Sequence, residues 1–341
     1  MSQRVRLWTA LVTVYLVWGS TYLAIRVMVE SAPPLLSSGV RFIVAGGILA
    51  GGVAAVRGPG VLRVSRRQLM SCAIVGGLLL LGGNGLVVIA QRHVASSVAA
   101  LMVAGVPLVV VVLRLIAGDR PAGATLVSVG IGFVGIALLV GFGSAGPLGS
   151  MLLLVIAPIS WALGSWLSPR LTLPADGLAT TAWQMLCGGV LMTAASGVVG
   201  EWHGFSVAQV SGRSWVAWVY LLVAGSLVAF TAYSWLLHHA PLSLVATYAY
   251  VNPAVAVILG AAILGERLTP GIALGAMAIV VSVAIVVSTE ASSRRVIRVM
   301  RPRRAPEEAC AEDTTGSQHC VTCAASCALA GAAPVAPGVT T

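Results

Sequence analysis

Arg41 and Phe42 interrupt a run of small and aliphatic residues from Leu35 to Val56, and no Lys, Asp or Glu shares that run. Placing a guanidinium in hydrocarbon costs about 2.5–3.5 kcal/mol, so it seeks a partner, an aqueous cavity or the headgroup layer. Glu30 and a substrate carboxylate are both candidate partners, and snorkelling to headgroups is the third fate open to it. Asn84, Gln91, Gln184 and Asn252 lie in comparable apolar surroundings, where an amide can hydrogen-bond a solute or a neighbouring helix. Asn252 precedes Pro253, whose missing N–H leaves a carbonyl of the preceding turn free to bind a ligand. Trp18, Tyr22, Trp161, Trp183, Tyr248 and Tyr250 add rings that can pack an apolar side chain or hold a cation. Tyr248 and Asn252 share a helix face, whereas Tyr250 lies on another. The chemistry this set suits is recognition of a small polar or amphipathic solute. The expected binding residues are Trp18, Tyr22, Arg41, Asn84, Trp161, Trp183, Gln184, Tyr248 and Asn252.

Catalysis has no comparable set. The chain has no Gly-rich phosphate loop ending in Gly-Lys-Ser/Thr, no His-Glu-x-x-His pair and no Gly-x-Ser-x-Gly elbow, so neither ATP-driven pumping nor an enzyme is expected, and no cofactor or metal is implied. No Asp falls in an apolar run, and the Glu residues sit in loops or at ends, which disfavours a mid-membrane carboxylate relay and leaves uniport, exchange or an end-located titrating group. Glu266, within Gly265-Glu266-Arg267-Leu268-Thr269, reads as a loop cap with a local ion pair. Arg26 reads as an interfacial anchor, Trp215, Trp218, Tyr220 and Trp235 as an interfacial belt, and His93, His238 and His239 as hydrated helix ends. Cys72 and Cys187 fill space.

The elements that must position these residues are apolar stretches at 7–27, 35–56, 69–90, 94–116, 124–142, 150–168, 178–199, 215–236, 243–264 and 270–288. Each approaches the ~20 residues that span ~30 Å of hydrocarbon. The composition, 58% hydrophobic and 9% charged, agrees. So does a mean hydropathy of +0.98. Continuous apolar runs lack the period-2 alternation of barrel strands, so the expected fold is an all-α polytopic membrane protein of ten transmembrane helices. Pro107, Pro158 and Pro253 are expected to break some of them.

All 20 basic residues are Arg. With the N-terminus inside, 15 fall on the cytoplasmic side, and only Arg92, Arg213 and Arg267 fall opposite, which puts both termini in the cytoplasm. The net charge of +10 is therefore topological, and no nucleic acid is expected. Arg294 to Arg304 is expected to meet anionic lipid at the inner surface. A weak repeat at an offset of 146 residues aligns His93 to Pro107 with His239 to Pro253, and Trp18-Gly19-Ser20 has a loose counterpart in Trp161 to Ser165. The expected units are therefore 1–145 and 147–290, each of five helices, the second inverted relative to the first. Residues 291–341 form a cytoplasmic tail; Cys310, Cys320, Cys323 and Cys327 with His319 mimic a metal or redox site, but the tail has no core to orient them and reads as disordered. Nothing in the sequence supports or opposes a homodimer.

Four segments carry a family resemblance: Val17-Trp18-Gly19-Ser20-Thr21-Tyr22; Pro34 with Val40-Arg41-Phe42; Ala95-Ser96-Ser97-Val98-Ala99-Ala100-Leu101; and Pro253 with Leu264-Gly265-Glu266-Arg267-Leu268-Thr269. In this order they resemble the EamA branch of the drug/metabolite transporter superfamily, over about 7–288. The resemblance implies ten helices in two inverted repeats, both ends cytoplasmic, and secondary transport, with amino acids or related metabolites exported by many members and other small solutes moved by the rest. It leaves open cationic drugs or nucleotide precursors as the solute; a non-transporting membrane scaffold or sensor is the competing class. One departure stands out, since the second unit reads Ala182-Trp183-Gln184 where the first has Arg41.

Overall fold

Side-chain caps and prolines set where the helices begin. Ser65 and Gln68 form a reciprocal capping box at the start of α3 (Arg66–Gly76). Asp176 accepts from Leu178 and Ala179 at 2.9 and 3.0 Å to open α9 (Gly177–Val198), and Ser211 accepts from Ser214 at 3.2 Å to open α10 (Gly212–Tyr220). Pro34 and Pro107 occupy first-turn positions, where the missing N–H costs nothing, in α2 (Pro34–Arg57) and α6 (Val106–Ile116).

The computed structural model describes residues 3–118, 121–141, 146–240, 248–266 and 269–300. Its remaining helices are α1 (Gln3–Met28), α4 (Leu86–Ala90), α5 (Ser96–Val103), α7 (Gly123–Gly141), α8 (Leu148–Leu167), α11 (Ala229–His239), α12 (Tyr248–Leu264) and α13 (Pro270–Met300). Two π-helical segments, Gly77–Gly85 and Leu221–Val228, carry α3 into α4 and α10 into α11 without a break.

The protein is an all-α, multi-pass membrane protein. Among the described residues seven helices are long and apolar enough to cross a membrane: Gln3–Met28, Pro34–Arg57, Arg66–Ala90, Ser96–Ile116, Leu148–Arg170, Gly177–Val198 and Gly212–Tyr233. The expected spans 124–142, 243–264 and 270–288 correspond to the shorter apolar helices Gly123–Leu138, Val251–Leu264 and Pro270–Ile285, of 10–17 residues. They belong to α7, α12 and α13, which run 19, 17 and 31 residues. The span 94–116 breaks at Ala104–Gly105, just before Pro107, while Pro158 and Pro253 lie inside continuous helices. Outward-facing Ile48, Leu152, Ile156, Val216 and Ile258 are all exposed, as lipid-facing side chains are.

The bundle closes through small residues. α2 packs along α9, α1 along α11 and α12, and α8 along Gly77–Gly85. A Cβ on Gly189 would stand 2.8 Å from the Gly39 carbonyl and 2.8 Å from the Ile43 nitrogen, so α2 and α9 touch backbone to backbone only because both residues are glycine.

Candidate functional site

The packing leaves a cavity of about 110 Å³ between α1, α2, Gly77–Gly85, α8, Leu221–Val228, α11 and α12. One water needs ~10–15 Å³, so there is room for a small solute. Of the expected binding residues, Trp18, Tyr22, Arg41, Asn84, Trp161, Tyr248 and Asn252 line it together.

Arg41 neither snorkels nor meets Glu30. It is 3% exposed, its Nη2 donates to Asn84 Oδ1 at 3.2 Å, and its Nε–H has no partner. Its guanidinium carbon lies 4.3 Å from the centroid of the Phe42 ring. Glu30 instead faces Arg213 at 3.8 Å, half-exposed at a helix end. Arg41 is buried because α2 enters the bundle at Pro34 and packs its buried face, Ser38, Arg41, Phe42 and Ala45, inward.

The aromatic wall comes from three helices. The Trp18 ring stands 5.3 Å from both Phe230 and Tyr248 in edge-on contacts and 5.0 Å from Tyr233, while Tyr233 and Tyr248 are 6.0 Å apart. Such pairs favour this tilted and T-shaped geometry. Phe230 and Tyr233 are absent from the expected set; their i,i+3 spacing in the eighth span is the signal that places them on one face. The Trp18 indole donates to the Gly225 carbonyl at 3.4 Å within one π segment, and Ser160, beside Trp161, donates to the Leu78 carbonyl at 2.7 Å within the other. A Cβ on Gly83 would stand 2.7 Å from the Trp161 ring, so that glycine makes the room the indole occupies.

The amides divide by role. With its nitrogen turned toward them, the Asn252 amide donates to the carbonyls of Tyr15 and Tyr248, each at 3.2 Å, tying α12 to α1 at the cavity wall. Gln91 is fully buried and donates to the Tyr22 carbonyl at 3.0 Å, a helix contact. Trp183 and Gln184 do not reach the cavity. The Trp183 indole donates to the Leu62 carbonyl at 3.2 Å, and the Gln184 backbone packs against Gly76, because buried Ala182 and Met185 face inward. The Tyr250 side chain and residues 241–247 lie outside the described residues.

Polar ties cross the bundle at both ends of the helices. The Glu201 carboxylate accepts from the N–H groups of Leu35 and Leu36 at 3.2 and 2.8 Å, capping α2, and Glu266 accepts from the N–H and hydroxyl of both Ser96 and Ser97 at 2.7–3.1 Å, capping α5. Glu266 thus caps a helix 170 residues away in sequence. Its expected ion-pair partner Arg267 lies outside the described residues. Arg26 donates to the Gln91 and Arg92 carbonyls at 2.6 and 2.8 Å, closing the end of α4. Toward the other end Arg57 pairs with Asp176. Burial raises the Asp176 carboxyl, but the Ala179 N–H, Arg57 and the Leu178 N–H outweigh it and hold the group below its ordinary 3.8. Among the described residues no His, Cys, Asp and Glu group could hold a metal ion; the tail's Cys310, His319, Cys320, Cys323 and Cys327 lie outside them.

The sequence pattern of the EamA-like transporter family matches residues 7–141 and again 148–288. The inner membrane transporter YedA of Escherichia coli (strain K12) is 40% identical over 270 residues, covering 78% of this chain and 86% of that protein. The transporter YvbV of Bacillus subtilis (strain 168) is 26% identical over 298 residues, covering 84% and 93%. A solved crystal structure aligns with 83% of this chain and 96% of its own at TM-score 0.58 and 19% identity, a likeness of fold alone.

Proposed function

We propose how this chain works from one premise: it belongs to the EamA-like transporter family and is a secondary transporter of the inner membrane, not an enzyme. Its solutes are amino acids or related small metabolites, exported by alternating access. The observation that carries this reading is the cavity, whose walls come from both stretches that match the family: Trp18, Tyr22, Arg41 and Asn84 from 7–141, and Trp161, Phe230, Tyr248 and Asn252 from 148–288. A site shared between two units can be exposed to either side when one rocks against the other.

Two inverted five-helix units, 1–145 and 147–290, are the units that rock. Reciprocal contacts support them: the first span's Trp18 bonds the π segment of the eighth, and the sixth span's Ser160 bonds the π segment of the third. A two-fold relation between halves gives that exchange of partners. The arginine asymmetry sets both termini in the cytoplasm, with the Glu201 and Glu266 caps at the outer end and Arg57 with Asp176 at the inner. The basic stretch Arg294 to Arg304 then lies against anionic lipid.

Counterflow in proteoliposomes tests the reading. Vesicles preloaded with pooled unlabelled amino acids should accumulate one labelled class transiently, and protein-free vesicles should not. No transient with any amino acid or small metabolite contradicts it.

A further inference from the structure

We propose that Arg41 is the anchor for a carboxylate of the transported solute, so that the protein takes amphipathic carboxylates with an aromatic or bulky apolar body and rejects cations. The inference rests on the transport reading and names its solute class. A buried guanidinium demands an anion, and among the described residues no Asp or Glu lines the cavity. Asn84 supplies one neutral acceptor at 3.2 Å, which leaves the positive charge uncompensated and the buried Nε–H without an acceptor. A planar carboxylate fits a guanidinium edge with two parallel hydrogen bonds. One such charge balances one Arg41, whereas a phosphate monoester would bring a second negative charge with no further cation among the described residues of the wall. A solute carrying only an ammonium would add a like charge to the same low-dielectric space. The rest of the lining suits an apolar body: Trp18, Phe230 and Tyr248 from one side and Trp161 from another present rings rather than charges. The hydroxyls and amides that remain can bond an ammonium beside the carboxylate without adding net charge.

The test compares phenylalanine, 3-phenylpropanoate, phenethylamine and phenethyl phosphate on the full chain, by thermal shift in detergent and by counterflow. Wild type should be stabilised by the two carboxylates and little by the amine or the phosphate. Arg41→Gln should weaken carboxylate binding about tenfold or more, the cost of losing a charge-assisted pair. Asn84→Asp keeps Arg41 and supplies its counter-charge from the protein, so it should lose carboxylate binding and gain the amine. Amine or phosphate bound as well as the carboxylates by wild type, no stabilisation by either carboxylate, or unchanged carboxylate affinity in both variants overturns the proposal. Flux that persists without carboxylate preference removes the anchor and leaves the transporter. Carboxylate binding through Arg41 without any flux keeps the anchor and removes transport.

Discussion

The Glu266 carboxylate accepts both the backbone N–H and the hydroxyl of Ser97, at 3.1 and 2.7 Å, and does the same for Ser96, at 2.7 and 2.8 Å. An anion on the first turn of α5 meets unpaired N–H groups and the positive end of the helix dipole at once. The contact joins the two family-matching stretches, and Glu201 makes a second such join at α2.

Glu266→Gln should therefore destabilise by about 1–3 kcal/mol, because an amide nitrogen replaces an acceptor that faces only donors. The measurement is thermal melting in detergent. A double-mutant cycle with Ser96→Ala/Ser97→Ala should show coupling of about 0.5 kcal/mol or more. Strict additivity would mean that the cap contributes nothing across the two stretches.

At the α2 and α9 crossing, size is the constraint. Gly189→Leu must push backbone atoms of Gly39 and Ile43 apart and should cost about 2–4 kcal/mol or prevent recovery of a monodisperse protein. Gly47→Ala, whose Cβ would meet nothing within 4 Å, should stay within about 0.5 kcal/mol of wild type. Equal melting temperatures for all three proteins would contradict the close crossing.

Asp176 gives a pH signature. Its folded pKa is depressed, so its stabilisation is complete above the ordinary aspartate range and is lost as pH falls below 3.8 toward the folded value. Asp176→Ala removes the cap of α9 and should cost about 1 kcal/mol at neutral pH. Asp176→Asn keeps a capping oxygen and loses only the half-exposed pair with Arg57, about 0–1 kcal/mol. Melting temperature followed from pH 7 to pH 3 should bring wild type and the Asn variant together; a gap that widens on acidification reverses the sign.

Arg41, Trp18 and Tyr248 were legible in the sequence because a charge or a large ring inside an apolar run has few places to go. Trp183 and Gln184 satisfy the same rule and still miss the cavity. Which face of α9 turns inward is decided by Gly189 and Ala182 meeting α2, a contact between segments far apart in the chain. Phe230, which lines the cavity, escapes notice for the converse reason, since the eighth span begins with aromatics, Trp215, Trp218 and Tyr220, that resemble an interfacial belt. The π segments have no local signature, and they shift the register of the residues that follow. The Glu266 cap was foreseen as a cap, but its partner lies in another part of the chain.

The most direct test of the cavity as the solute's route is counterflow by Trp161→Ala/Tyr248→Ala beside wild type. The two substituted residues sit on α8 and α12 of the second matched stretch, and both line the cavity without holding a cap. The account predicts wild-type accumulation of one solute class and at least a tenfold loss of rate in the variant, with both proteins reconstituting equally and melting within a few degrees of each other. Undiminished counterflow in the variant would place the route elsewhere and contradict it.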